Sequence, residues 1–309
     1  MISLLFSGQG AQKPGMGLSL YENCPAARAV FERCPEPVLE YCFHGTEDEL
    51  SRTDITQPCV YAVSMAAFAA FKREMESAGL TYAMMAGFSL GEYSALTAAG
   101  VFNLSDGYSL VERRAQWMHA CGEGRMAALL GKEAEVADCL TKASEYSVWP
   151  VNFNCPGQTV VAGKPLDVGR FCDFAAGFGL RVAPLKVSGA FHSPLMAPAG
   201  DRIREALQTL TLHEEEVPVY SNVTGEPMEY GQMADLIARQ AVSPVLWEKT
   251  IRNQIAAGVD TFVEIGVGNT LCGFVRRTDR HVRTISVQDP ETLAAAMQQL
   301  TMKKDETNA

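Results

Sequence analysis

An excess of positive charge is what this chain most clearly lacks. Its 309 residues carry 26 Lys and Arg against 36 Asp and Glu, a formal charge of −10. That balance argues against non-specific nucleic-acid binding and against a basic membrane-surface role. An acidic partner would need a local basic patch. Long apolar runs are also missing, and no stretch reaches the length of a membrane span. Met1-Ile2-Ser3-Leu4-Leu5-Phe6 is apolar but short. It has neither a basic leader nor a small-residue cleavage site, so it reads as a first strand and not as a signal peptide. The nine cysteines include no Cys-x-x-Cys, and their number is odd. This argues against a disulfide framework and against a metal site. Reduced thiols fit a cytoplasmic compartment.

What is present suits a globular protein with a sizeable core: 47% of residues are hydrophobic and 20% charged. The length allows one large domain, or a large domain with a smaller one. The chain is organised around Gly87-Phe88-Ser89-Leu90-Gly91-Glu92. An apolar stretch, Ala83-Met84-Met85-Ala86, precedes it and reads as a buried strand. Tyr93-Ser94-Ala95-Leu96-Thr97-Ala98-Ala99 follows and reads as a helix. Strand, Gly-x-Ser-x-Gly and helix in that order is the layout of a nucleophile elbow. The glycines permit a tight turn that presents the serine oxygen, and the helix N-terminus aims N–H groups at its target. The structural alternative is an ordinary strand–turn–helix with a serine cap.

Residues 25–34 and 47–52 read as short helices. Pro58 reads as a first-turn residue of a helix reaching about residue 78. Ser105 reads as the cap of the next helix, which ends near residue 121. In that helix Arg114 falls within the apolar stripe of Tyr108, Val111, Ala115 and Met118, while Arg113 falls outside it. A buried arginine needs an anionic partner. An internal carboxylate and an anionic ligand are equally good candidates at this stage.

From residue 126 the pattern changes. Strands at 126–130, 148–154, 159–162 and 181–187 alternate with helices at 133–143 and 167–177. This β-α-β-β-α-β order is ferredoxin-like. It reads as a small subdomain, residues 126–188, inserted into a larger unit of residues 1–125 and 189–309. The larger unit resumes with helices at 196–210, 231–241, 247–257 and 270–276, and strands at 218–222, 261–265 and 282–287. Alternating strands and helices give an α/β class with a mostly parallel, covered sheet. The tail from residue 301 reads as polar and loose.

A serine nucleophile needs a base, and there are five histidines. His44, His119, His213 and His281 lie in polar surroundings and read as solvated. His192 lies in Gly189-Ala190-Phe191-His192-Ser193-Pro194, a loop free of ladder hydrogen bonds where the insert rejoins the core. No Asp stands in an obvious orienting position, so a backbone carbonyl could hold the imidazole.

Taken together, Ser7-Gly8-Gln9-Gly10-Ala11-Gln12, the elbow, Asn152-Phe153-Asn154-Cys155-Pro156-Gly157-Gln158 and the His192 loop resemble the motif set of malonyl-CoA:acyl-carrier-protein transacylases. The 261–268 segment resembles the late Glu-x-Gly-x-Gly of that family. The likeness runs from about residue 2 to 287 in the family's order. It implies a hydrolase-like core with a ferredoxin-like insert. It also implies that Ser89 attacks a malonyl thioester while His192 accepts the proton. The backbone N–H groups of Gln9 and Leu90 would form the oxyanion hole, and Arg114 would hold the malonyl carboxylate. Gln57 resembles a substrate-contacting position, and the Ser243 carbonyl resembles the group that orients the histidine. Where the family has His, this chain has Phe88, which cannot hydrogen-bond an acyl group. Phe191 resembles the residue that goes with unbranched malonyl.

The expected activity is ping-pong transfer from malonyl-CoA to acyl carrier protein for fatty-acid synthesis, by a cytoplasmic monomer that uses no metal or cofactor. The competing readings are a polyketide-type acyltransferase, a serine thioester hydrolase on the same elbow, and a non-catalytic carrier-protein-binding module.

Overall fold

The computed structural model describes residues 1–308, with side chains described through residue 302. In chain order the strands are β1 (Ile2–Phe6), β2 (Met84–Gly87), β3 (Arg125–Leu130), β4 (Val148–Cys155), β5 (Gln158–Gly163), β6 (Arg181–Pro184), β7 (Val219–Tyr220), β8 (Thr261–Ile265) and β9 (Arg283–Val287). They divide between two sheets, one ordered β7-β2-β1-β8-β9 and the other β4-β5-β3-β6.

The first sheet is parallel throughout. Its central strands are apolar along nearly their whole length because helices cover both faces. Leu4 and Phe6 point into one core, with residues of the helices Thr53–Ser77 and Leu90–Ala98. Leu5 and Phe262 point into another, with Trp247, Ile251, Leu271 and Val275. Successive residues of a strand face opposite ways, so the sheet separates the two cores. In such a sheet ligands bind beyond the carboxyl ends of the strands. Phe6 pairs with Gly87 and with Ile265. The loops starting at Ser7, Phe88 and Gly266 therefore open side by side.

The second sheet is antiparallel, and its order is that of a ferredoxin-like β-α-β-β-α-β unit. Its own core packs Leu129, Val161 and Phe171. Backbone bonds from Phe153 N to Val245 O (2.9 Å) and from Val245 N to Val151 O (2.8 Å) join β4 to the segment before the helix Trp247–Ala256. The observed class is the α/β arrangement expected from the sequence.

Several local expectations change. The long helix begins at Thr53, not at Pro58, which lies inside it. Proline so near a helix start removes only one early hydrogen bond, so the helix survives it. Asn103, not Ser105, caps the helix Leu104–Ala120, accepting from Asp106 N at 2.9 Å. Helices at Leu18–Asn23 and Glu36–His44 were not anticipated. The expected tail is helical at its start instead: the helix Pro290–Asn308 continues past residue 301, and Thr301 Oγ1 donates to Met297 O at 2.9 Å. Residue 309 lies outside the described residues. The late Glu-x-Gly-x-Gly segment has a structural role. Glu264, buried on β8, accepts from the N–H groups of Leu271 (3.1 Å) and Cys272 (2.7 Å) at the start of the helix Thr270–Thr278.

The elbow closes because its two glycines lack side chains. A Cβ on Gly87 would overlap the backbone of Gly91, and one on Gly91 would overlap the carbonyl of Phe6. Gly169, within the helix Pro165–Gly177, has nothing within 4 Å of its Cβ position. Gly87→Ala should therefore lower unfolding free energy by about 3 kcal/mol or more. Gly169→Ala should raise it by about 0.5–1 kcal/mol. Urea denaturation of both variants checks the pair.

Candidate active site

Ser89 sits between β2 and the helix Leu90–Ala98 with φ 54° and ψ −107°. A positive φ is strained for a residue with a side chain, and such strain persists only where the surroundings hold it. Here Asn222 holds it. Its Oδ1 accepts from Ser89 N at 2.7 Å, and its Nδ2 donates to Gly87 O at 2.7 Å. Asn222 is itself fixed by Glu92, whose Oε2 accepts Asn222 N at 2.6 Å. Gln240 Nε2 donates to Ser89 O at 2.6 Å.

The serine oxygen is 2.6 Å from His192 Nε2. The other ring nitrogen, Nδ1, lies 2.9 Å from Gln240 O. A carbonyl only accepts, so Nδ1 carries the proton and Nε2 presents a lone pair to the Ser89 hydroxyl. His192 is buried, and its own φ is 63°. Burial and then the Arg114 charge lower its pKa to about 4. It is neutral, as a base must be, across the physiological range. The sequence reading assigns this orienting role to the Ser243 carbonyl; the nearer acceptor of the Nδ1 proton is Gln240 O, and the Ser243 backbone adds a lesser favourable contribution. The reason is local: Gln240 ends the helix Tyr230–Gln240, and terminal helix carbonyls lack intrahelical donors.

Arg114 is 1% exposed, and no ion pair joins it to a carboxylate among the described residues. Amide oxygens hold it instead. Nη1 donates to Gln57 Oε1 at 2.5 Å and Nη2 to Gln240 Oε1 at 3.0 Å. Its guanidinium lies over the Tyr93 ring, 5.0 Å from the centroid. Nη2 is also 3.4 Å from Ser89 Oγ. Each terminal nitrogen carries two hydrogens. Nη2 thus spends one hydrogen on Gln240 and the other on Ser89 Oγ, whereas Nη1 keeps one beyond Gln57 and Nε–H has no acceptor among the described residues. These unspent N–H groups and the charge are what the site offers an incoming carboxylate. Gln57 completes this wall, its Nε2 facing Met118 Sδ at 3.8 Å.

Leu90 is the first residue of its helix, and Gln9 follows β1 in the adjacent loop. Among the described residues neither backbone N–H has a protein acceptor. The Gln9 side chain donates to Thr53 Oγ1 at 3.1 Å, which fixes the loop. Phe191 is buried in the cluster that contains Met118. Phe88 turns its ring toward Trp247 (5.4 Å between centroids) and Phe274 (6.1 Å). His44, His119, His213 and His281 are all exposed.

Three residues of the site escaped the sequence: Asn222, Gln240 and Glu92. Glu92 stood in the elbow motif but had no visible partner. Asn222 reaches Ser89 because β7 pairs with β2 across 133 residues of chain. Nothing local in the sequence signals that pairing.

Comparison with known proteins agrees with this geometry. The family model described as acyl transferase domain matches residues 4–308. The malonyl CoA-acyl carrier protein transacylase of Bacillus subtilis is 40% identical, over 100% of this chain and 99% of that protein. The crystal structure of the corresponding Clostridium perfringens transacylase superposes with a TM-score of 0.92 at 33% identity, covering 100% of this chain and 99% of the other. A malonyl-transacylase solved in complex with a type II PKS acyl-carrier protein gives a TM-score of 0.89 at 32% identity, over 96% and 99%. On the full-length match and the shared fold, this chain belongs to the malonyl CoA-acyl carrier protein transacylase family of acyl transferases.

Proposed function

We propose that this enzyme moves a malonyl group from malonyl-CoA to the phosphopantetheine thiol of an acyl carrier protein, by way of a malonyl ester on Ser89. The observation that carries the reading is Arg114: a buried guanidinium with no carboxylate partner among the described residues, 3.4 Å from the proposed nucleophile Ser89. A water-using esterase has no need of such a charge. An acyl group ending in a carboxylate does.

In the first half-reaction Ser89 Oγ attacks the thioester carbon as its proton passes to His192 Nε2. The N–H groups of Gln9 and Leu90 receive the developing oxyanion. One such donor is typically worth ~2.7–4 kcal/mol in the transition state. The intermediate collapses, the carbon–sulfur bond breaks, and His192 returns the proton to the departing CoA sulfur. In the second half, His192 takes the proton of the carrier-protein thiol, the thiolate attacks the ester, and Ser89 leaves with that proton. The imidazolium formed in each half faces the carbonyl end of the helix Tyr230–Gln240, which favours positive charge. Side-chain and backbone groups supply every step, so the scheme calls on no cofactor.

The carrier protein is the acceptor, and Arg276 and Arg277 are suitably placed to meet an acidic one. Both are exposed, near the end of the helix whose Phe274 packs on Phe88 beside the nucleophile. Phe191, packed in the cluster that contains Met118, would limit room for a branched acyl group. A methyl-sized difference is worth about 1–3 kcal/mol, a preference and not a barrier. All nine cysteines are free, which suits a reducing, cytoplasmic setting. No helix among the described residues is long and apolar enough to cross a membrane.

Arg114→Ala should lower kcat/KM for malonyl transfer about 100-fold, ~2.7 kcal/mol, while acetyl transfer stays equal or rises. Steady-state assays with both thioesters check this, and equal losses would remove Arg114 from carboxylate recognition. The pH dependence follows from His192. Its pKa is depressed, so the base form persists as pH falls and is lost only near pH 4. The kcat/KM for acylation should thus stay level through the range around pH 6.5, where an ordinary histidine would already be protonating. Stopped-flow acylation between pH 4 and 7 checks this.

A further inference from the structure

Glu92 is fully buried, and only one of its oxygens is engaged. Oε2 accepts from Asn222 N, while Oε1 has no hydrogen-bond partner among the described residues. An unengaged carboxylate oxygen in a dry interior is costly if ionised. Arg114, on the neighbouring helix Leu104–Ala120, is equally buried and equally short of a counter-charge. The Gln240 amide links the two regions: its oxygen accepts from Arg114 Nη2, and its nitrogen lies toward Glu92 while donating to Ser89 O. The ionisable groups acting on Glu92 are Arg114 and, from its own helix, Tyr93; Asn222 N–H is its neutral donor, and the Gln240 amide lies nearby.

From this arrangement we propose that Glu92 and the substrate carboxylate compete to neutralise Arg114, so that malonyl binding requires Glu92 to be protonated. The proposal rests on the malonyl-transfer reading above. It makes Glu92 a positioning residue for charge and not a catalytic one. Two carboxylates and one guanidinium in a water-free site leave a net negative charge. One carboxylate must then take up a proton. The substrate's carboxylate can take the N–H groups that Arg114 leaves unspent on Nη1 and Nε, so it has the better partner and Glu92 takes the proton. An acetyl group brings no charge and makes no such demand. The pocket thereby links acyl choice to pH without any moving part.

The sign follows from the free enzyme. Burial raises the Glu92 pKa to about 8, against smaller lowering effects from Asn222 N–H and Arg114. Below that value Glu92 is neutral and Arg114 is open to malonyl. As pH rises through it, the competing carboxylate appears, and kcat/KM for malonyl-CoA should fall toward tenfold per pH unit. Tyr93, with a pKa raised to about 12, ionises too late to cause such a limb.

The test is acylation kinetics from about pH 7 to 9.5, with malonyl-CoA and acetyl-CoA compared in the wild-type enzyme and in Glu92→Gln. Glutamine can still accept Asn222 N–H but cannot ionise. The expected result is an alkaline fall near pH 8 for malonyl-CoA, none for acetyl-CoA, and loss of the fall in Glu92→Gln. Superimposable malonyl and acetyl profiles, or a fall that persists in Glu92→Gln, would overturn the proposal. Should Glu92→Gln not fold, the wild-type comparison decides on its own. Intact-mass measurement at pH 7 separates the two levels: absence of a malonyl adduct on Ser89 would overturn the malonyl-transfer reading itself.

Discussion

A positive charge held out of water next to Ser89, the proposed nucleophile, is the constraint on which this site depends. Burying an unpaired guanidinium is unfavourable, and interiors normally answer it with a carboxylate. Here Arg114 receives two amide oxygens, from Gln57 and Gln240, and the face of Tyr93. These satisfy hydrogen bonds and supply partial negative charge without neutralising the cation. The helices Thr53–Ser77, Leu90–Ala98, Leu104–Ala120 and Tyr230–Gln240 each supply one of these four residues. The packing of the larger unit is what keeps an incompletely neutralised charge in place.

The same elements hold Ser89 and His192, the proposed nucleophile and base. Ser89 and His192 are two of the three non-glycine residues with positive φ among the described residues. Backbone strain of this kind costs on the order of 1–3 kcal/mol per residue, and it survives because each residue is tied from outside its own segment. Asn222 ties Ser89 from the carboxyl end of β7, and the carbonyl of Gln240 ties His192 from a helix terminus. Gln240 serves the nucleophile, the base and the guanidinium at once. Its backbone oxygen orients the imidazole, and its amide bridges Ser89 O and Arg114. A change in that one residue would disturb three functions, so their effects in mutants would not be additive.

How much of this the sequence discloses depends on whether the signal is local. The elbow is local: strand, glycine-bracketed serine and helix adjoin, and the structure places Ser89 at their junction. The burial of Arg114 is local too, since helical periodicity puts it on the stripe with Val111 and Met118. The β-α-β-β-α-β order is readable because each element follows the last. Asn222, Gln240 and Glu92 act through long-range contacts, and no spacing rule places them beside Ser89. The choice between Gln240 and Ser243 for the histidine shows the scale of the problem. The correct segment was legible, but which carbonyl points at the ring depends on where the helix Tyr230–Gln240 stops. Helix ends are the least determined part of a sequence reading. The missed C-terminal helix is a similar case: its residues from 301 are polar, but Leu293, Ala296 and Leu300 upstream pack into the core and carry the helix onward.

Phe88 shows how one departure from a family pattern acquires a narrower meaning in three dimensions. In sequence it adjoins the nucleophile, so losing a hydrogen-bonding side chain there bears on the whole pocket. In the fold its ring packs with Trp247 and Phe274, in the core on one side of the parallel sheet. Tyr61 and Val111, on the helices that bear Gln57 and Arg114, belong to the core on the other side. In the proposed reading, a carboxylate held by Arg114 meets a wall built on the helices of that other core. An apolar ring is also stabilised where it stands, since aromatic pairs at these separations contribute about 0.5–1.5 kcal/mol beyond area burial. The proposed grip on the acid end and the aromatic packing around Phe88 thus draw on different cores, and a substitution in one core need not repack the other.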